Sequence, residues 1–143
     1  MMNIAIVGAT GNVGRKILEV LEKKNFSLDN LYLVASSKSA GSKITFKDKE
    51  LEVFDLEKFD FSKAKITFFA AGGKISENYA TKAAQHSIVI DNSSFYRMDP
   101  DVPLIVPQVN SEDLKKIKKN IIANPNCSTA QLVIALKPLH DAF

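Results

Sequence analysis

Met2-Asn3-Ile4-Ala5-Ile6-Val7-Gly8-Ala9-Thr10-Gly11-Asn12-Val13-Gly14-Arg15 decides the fold. The apolar run suits a strand buried on both faces, and it breaks at Gly8 into a glycine-rich turn. A helical pattern then opens, with Val13, Ile17, Leu18, Val20 and Leu21 on one face. Strand, glycine turn and helix in this order are the context of a dinucleotide-binding fingerprint. The spacing is Gly-x-x-Gly-x-x-Gly rather than the commoner Gly-x-Gly-x-x-Gly, but the physical roles carry over. Gly8 allows the sharp turn, Gly11 lets backbone approach a pyrophosphate, and Gly14 lets the helix pack closely on the sheet. The pyrophosphate then sits on the positive end of that helix. Glycines alone also fit a plain turn; the flanking strand and helix favour the nucleotide.

Beyond this unit, strand and helix patterns alternate. Residues 31–36 read as a second strand, and residues 43–46 and 50–54 as a short hairpin around Lys47-Asp48-Lys49. Residues 66–70 form a buried strand that ends in Ala71-Gly72-Gly73, and a helix follows from about Ser76 to Gln85. Residues 87–91 are another strand. A proline-punctuated stretch, 99–107, holds the apolar run Leu104-Ile105-Val106. Asn110-Ser111-Glu112-Asp113 has the form of a helix N-terminus, with acids in the first turn. Residues 121–123 are the last strand, feeding an apolar helix. This alternation predicts an α/β fold, a Rossmann-like doubly wound and mostly parallel sheet with helices on both faces. Ligands in such sheets bind outside the carboxyl ends of the strands. The polar and glycine-rich segments 8–14, 36–39, 71–73, 92–97 and 124–127 all fall there.

Segment 36–39 bears on the choice of nucleotide. An NAD site usually has an Asp or Glu about 20 residues past the glycines to hold the ribose 2′-hydroxyl. Here the position is filled by Ser36-Ser37-Lys38-Ser39-Ala40-Gly41, three hydroxyls and a cation with no carboxylate. By composition this is also a serine-rich solvated loop; its place at the ribose favours a 2′-phosphate, hence NADP(H).

Bulk properties set limits. At 143 residues the chain fits one domain with a real core. The balance of 19 basic to 16 acidic side chains gives +3, too small an excess to argue for nucleic acid. The Lys115-Lys116-Ile117-Lys118-Lys119 run is expected to be a solvated helix face, without interleaved aromatics. A single cysteine rules out an intramolecular disulfide and fits a reducing cytosol. His86 and His140 lack metal-ligand spacing, so no metal is expected. No leader pattern or membrane-length apolar run is present, so a soluble, cytoplasmic protein without a membrane partner is expected.

The one cysteine lies in Asn124-Pro125-Asn126-Cys127-Ser128-Thr129-Ala130-Gln131, on a polar turn opening the last helix. Unpaired N–H groups in a helix's first turn favour negative charge, so a thiol there makes a strong nucleophile. Most lone cysteines are instead small buried hydrophobes. The glycine turn shifts the balance, because both segments share one edge of the sheet. A thiolate beside a nicotinamide suits one reaction above others. Sulfur adds to an aldehyde, the adduct passes hydride to the nicotinamide, and a thioester remains for an acceptor. Arg97 adds to this: the chain has two arginines against seventeen lysines. A guanidinium grips phosphate in a bidentate way lysine does not match. The alternative is a surface ion pair with Asp99 or Asp101.

Four stretches, in order, resemble aspartate-semialdehyde dehydrogenases: Gly8-Ala9-Thr10-Gly11-Asn12-Val13-Gly14, Ala35-Ser36-Ser37-Lys38-Ser39-Ala40-Gly41, Asp91-Asn92-Ser93-Ser94-Phe95-Tyr96-Arg97 and Asn124-Pro125-Asn126-Cys127-Ser128-Thr129. The resemblance covers essentially the whole chain, and the cysteine motif is its most specific part. Related acetylglutamyl-phosphate reductases tend to have Gly-Cys-Tyr-Pro there, and glyceraldehyde-phosphate dehydrogenases Cys-Thr-Asn. The resemblance implies reductive dephosphorylation of β-aspartyl phosphate by NADPH, on the way to lysine and diaminopimelate, threonine, isoleucine and methionine. It implies Cys127 as the nucleophile, Arg97 as the phosphate-binding residue and Asn126 beside the reacting centre. Gly8, Thr10, Gly11, Asn12 and Val13 would take the pyrophosphate. Ser36, Ser37, Lys38 and Ser39 would lie at the 2′-phosphate, and Ala71, Gly72 and Asn92 along the rest of the cofactor. Lys38 departs from the arginine often found there, which keeps the charge but loses the fork.

Members of that family continue into a second domain, which supplies a histidine acid/base, a glutamine and a carboxylate-binding arginine and carries the homodimer or homotetramer contacts. His140 is not that base: at ~1.5 Å per residue it lies about 20 Å along the helix from Cys127. Residues 1–143 are thus expected to be the NADP-binding domain of a two-domain enzyme, inactive alone. A free-standing NADP-binding regulatory module and another acyl-phosphate or acyl-CoA reductase are the alternatives.

Overall fold

Asn3–Val7 forms the central strand, β1, and Ile4, Ala5, Ile6 and Val7 are all buried. The computed structural model describes residues 2–143. The other strands are β2 (Asn30–Ala35), β3 (Lys43–Phe46), β4 (Lys49–Asp55), β5 (Ile66–Phe69), β6 (Ile88–Asp91) and β7 (Ile121–Ala123). The helices are α1 (Asn12–Lys23), α2 (Gly73–Ala84), α3 (Pro107–Asn110) and α4 (Cys127–Ala142). One seven-stranded sheet runs in the order β3-β4-β2-β1-β5-β6-β7. Every pairing is parallel except that of β3 with β4.

Two cores lie on opposite faces because successive strand residues alternate. Leu18 and Leu21 of α1 cluster with Ile4, Ile6 and Leu33. Ala80 and Ala83 of α2 cluster with Val7, Phe69, Val89 and Ile121. The chain winds outward from β1 toward β2 and in the opposite sense from β5 toward β6. The crevice between the carboxyl ends of β1 and β5 is therefore the switch point of the sheet, where doubly wound folds bind ligands. Among the described residues no helix is long and apolar enough to cross a membrane.

Several local expectations are corrected. The apolar face expected on α1 divides in two: Gly14, Leu18 and Leu21 are buried, whereas Val13 and Val20 stay exposed. Residues at i, i+4 and i+7 press on the sheet, and their neighbours one position back turn aside into a groove. The hairpin loop has two residues, not three. Phe46 pairs with Lys49, and Lys47 and Asp48 have φ of 47° and 62°, as the type I′ turn of a twisted hairpin requires. Helix α2 begins three residues earlier than expected, at Gly73, with Gly72 at its N-cap.

The helix expected from Asn110 is instead the short α3 followed by a 3-10 turn over Ser111–Lys116. The Asn110 side chain bonds across the bend, accepting from the Val106 N–H at 2.9 Å and donating to the Leu104 carbonyl at 2.9 Å. The lysine run is consequently a turn and loop, not a helix face. Its cations pair with Glu112, Asp113, Asp101 and Asp99.

The apolar helix expected after the cysteine is present as α4, yet none of its residues is buried. Leu132 and Leu139 are 58% and 57% exposed. A helix apolar around much of its circumference is normally covered on several sides; here α4 meets mainly α3.

Candidate active site

The carboxyl edge of β1 carries the glycine turn. Gly8 adopts φ of 87°, and a Cβ on it would stand 2.8 Å from the Ala70 backbone at the end of β5. Its N–H donates to the Val34 carbonyl at 2.8 Å, and its carbonyl accepts from the Gly11 N–H at 3.0 Å. Gly14 touches that same carbonyl: a Cβ there would lie 2.2 Å from it. Gly14 therefore packs α1 onto the turn itself rather than onto the sheet at large. Gly11 is exposed and serves as the N-cap of α1, with no side chain closing that end. Gly72 leaves the start of α2 equally open.

A cavity of about 300 Å³ lies over the switch point. Gly8, Thr10 and Gly11 line it from β1, Ser36 from β2, and Ala71 from β5. Beside it the turn after β2 holds Ser36, Ser37 and Lys38 exposed, and their side chains have no hydrogen bond or ion pair among the described residues. The turn itself is fixed by backbone bonds from Ser39 and Ala40 to the Ser36 carbonyl at 2.9 and 3.1 Å.

A second cavity, about 500 Å³, adjoins the other side of α1. Asn12, Val13, Ile17 and Val20 face Asn92 and Cys127 across it, with Phe68 as its floor. The two ends of the chain's chemistry thus meet in one groove. Cys127 is exposed as the first residue of α4. The side chain of Asn126 caps the helix, accepting from the Ser128 N–H at 2.9 Å, and its Oδ1 stands 3.9 Å from the Cys127 Sγ.

Arg97 is half-buried beside this turn. Its Nε donates to the Asn124 carbonyl at 3.0 Å and its Nη2 to the Asn92 carbonyl at 3.3 Å. A guanidinium has five N–H donors; the others find no partner among the described residues. The expected alternative, an ion pair with Asp99 or Asp101, is not what forms. Lys119 takes Asp99 and Lys118 takes Asp101, both at 2.9 Å. The hydrogen bond from Lys119 holds the Asp99 carboxyl below its ordinary range, and that from Lys118 does the same for Asp101. Burial first, then the charges of Asp91 and Asp99, push the Tyr96 hydroxyl up.

The sequence profile of the family described as "Semialdehyde dehydrogenase, NAD binding domain" matches residues 3–117. The chain belongs to that semialdehyde dehydrogenase family. An aspartate-semialdehyde dehydrogenase of Aquifex aeolicus is 57% identical over 141 residues, which is 96% of this chain and 42% of that relative. A crystal structure of aspartate-semialdehyde dehydrogenase II from Vibrio cholerae, complexed with ASA, superposes with a TM-score of 0.96 at 48% identity. That match covers 99% of this chain and 47% of the other. The Candida albicans aspartate-semialdehyde dehydrogenase solved with NADP has a TM-score of 0.78 at 30% identity, over 100% of this chain and 48% of its own. The chain thus spans less than half the length of the relatives it matches.

Within this semialdehyde dehydrogenase domain, sequence reasoning missed Asn124, Asp91, Ser76 and Ser93. Asn124 donates its N–H to the Asp91 carbonyl at 2.8 Å and its side-chain amide to the Asn92 Oδ1. It thereby locks the cysteine turn to the end of β6. Asp91 stood in the sequence as the last residue of a strand and the first of the Asp91–Arg97 stretch, without a role of its own. An acid closing an apolar run, with two serines just beyond Asn92, was the available signal.

Proposed function

We propose that this chain is the cofactor-binding and nucleophile-bearing part of an aspartate-semialdehyde dehydrogenase that uses NADP(H). The observation that carries the reading is the shared groove, in which Cys127 and Asn92 face the first turn of α1. The cradle suits a dinucleotide: two helix N-termini are left without a side-chain cap, and there is no room for a Cβ at Gly8 in the turn or at Gly14 in the first turn of α1. Gly8, Thr10, Gly11, Asn12 and Val13 would hold the pyrophosphate, and Ala71, Gly72 and Asn92 the ribose and nicotinamide side. The unpaired Ser36, Ser37 and Lys38, with Ser39, would meet the 2′-phosphate.

On the chain's own residues the chemistry runs as follows. The Cys127 sulfur attacks the acyl carbon of β-aspartyl phosphate, the S–C bond forms, and the C–O bond to phosphate breaks. Arg97, aimed by two backbone carbonyls, keeps N–H donors free to receive the departing phosphate. Asn126, whose Oδ1 lies next to the sulfur, orients the reacting group. NADPH, when bound, supplies the hydride that turns the thioester into aspartate semialdehyde and frees the thiolate. The semialdehyde would serve the synthesis of lysine and diaminopimelate, threonine, isoleucine and methionine. The bare apolar surface of α4 would be covered by further structure of the same enzyme, which would also supply the acid/base and pair the subunits.

The test is the reverse reaction in the intact protein. Aspartate semialdehyde should reduce NADP only when inorganic phosphate is present. Tight NADPH binding without phosphate-dependent reduction would favour a regulatory binding module instead. Lys38→Ala should weaken NADPH binding about tenfold and NADH binding hardly at all, since one charge contact of a 2′-phosphate is worth roughly 1.4 kcal/mol. Equal losses for both nucleotides in a fluorescence titration would remove the 2′-phosphate role.

A further inference from the structure

Asp91 ends β6 with a carboxylate that is fully buried. It has no cationic partner among the described residues. Its Oδ1 accepts from the Ser76 hydroxyl at 2.7 Å and from the Ser93 N–H at 3.0 Å, and its Oδ2 accepts from the Ser93 hydroxyl at 2.7 Å. A buried carboxylate without a counter-ion is costly, and these donors are what make it tolerable. The segments that carry them are therefore held to it closely. Packing alone does not need such a group at the end of a strand, where an apolar side chain fills the space at lower cost.

What the network holds is the route to Arg97. The Ser93 hydroxyl, while donating to Asp91, also accepts from the Phe95 N–H at 3.2 Å, so the chain curls immediately after the strand. The Arg97 N–H then reaches the Ser94 carbonyl at 3.4 Å, and the guanidinium folds back over the strand ends onto the carbonyls of Asn92 and Asn124. Both carbonyls are tied to Asp91: Asn92 is its neighbour, and the Asn124 N–H is bonded to its main-chain oxygen. We infer that Asp91, acting through Ser93, is a positioning residue that aims the Arg97 guanidinium at the phosphate that Cys127 displaces from the acyl carbon. This inference rests on the phosphate role proposed for Arg97.

The experiment measures protection of Cys127 from iodoacetamide by inorganic phosphate in the intact protein, with no nucleotide present. Ser93→Ala and Asp91→Asn are compared with Ser87→Ala. Ser87 also makes a buried hydroxyl bond, to Thr67 at 2.9 Å, but at the opposite ends of β5 and β6. The expected result is a half-protecting phosphate concentration raised about tenfold in Ser93→Ala and Asp91→Asn, and unchanged in Ser87→Ala at a similar loss of thermal stability. Protection that stays at the wild-type concentration in both variants would overturn the positioning role alone. Absence of any phosphate protection in the wild type would overturn the phosphate reading of Arg97 and this inference together.

Discussion

Cys127→Ser is expected to reduce turnover in the intact protein by at least about a thousandfold while leaving NADPH affinity within about twofold. A serine hydroxyl is a far weaker nucleophile at neutral pH. Among the described residues the Asn126 Oδ1, at 3.9 Å, is the one hydrogen-bond partner of the Cys127 Sγ. The change replaces one atom in the groove that Cys127 shares with Asn12, Val13 and Asn92, and it leaves the glycine turn that lines the cavity over the switch point as it is. The helix start is also preserved, since its cap comes from Asn126. The two readouts are the initial rate of phosphate-dependent NADP reduction and the quenching of NADPH fluorescence. Turnover near that of the wild type in the serine variant would end the covalent mechanism.

Gly14→Ala should be the most damaging change to the fold near the site. The added carbon would stand 2.2 Å from the Gly8 carbonyl oxygen and 2.7 Å from the Ala9 Cα, both backbone atoms. That oxygen is already fixed by the Gly11 N–H at 3.0 Å, so the turn does not yield easily. Helix α1 must lift instead, which pulls Leu18 and Leu21 from the core they share with Ile4, Ile6 and Leu33. Overpacking together with partial exposure of two leucines should cost about 3 kcal/mol or more. NADPH affinity should fall more than about a hundredfold as the cradle opens.

Gly11→Ala separates binding from folding. Gly11 has φ of −79°, and its added carbon would meet only the Gly8 carbonyl oxygen, at 3.4 Å. The variant should lose no more than about 1 kcal/mol of stability, the cost of alanine in place of glycine at an N-cap. Its NADPH affinity should still drop, because the methyl stands where backbone must approach the pyrophosphate. Thermal unfolding and fluorescence titration of the two variants together check the contrast.

The sheet was legible because its strands are short apolar runs closed by polar or glycine-rich turns, and parallel strands covered on both faces read that way. The glycine turn, the serine loop, the Asn92–Arg97 stretch and the cysteine turn were legible for the same reason: each interrupts an apolar run at its carboxyl end. Less legible were features set by tertiary contact. The division of the α1 face into a buried and a bare line depends on where the sheet lies, which periodicity does not give. Asn110 resembled a helix cap by residue type, but its amide is used across a bend to Leu104 and Val106. The lysine run followed the charge pattern of a solvated helix, yet its partners Asp99 and Asp101 come from a distant loop. Arg97 was picked out by its rarity; that two carbonyls aim it could be seen only once β6 and β7 were side by side.

Acylation of Cys127 is the central step of the proposed mechanism. The intact protein would be mixed with β-aspartyl phosphate in the absence of NADPH, quenched in acid, digested and weighed by mass spectrometry, with released phosphate counted in parallel. One aspartyl group on the peptide containing Cys127, with one phosphate released per site, is the predicted result. Phosphate retained and Cys127 unmodified, or the acyl group found on another residue, would contradict it.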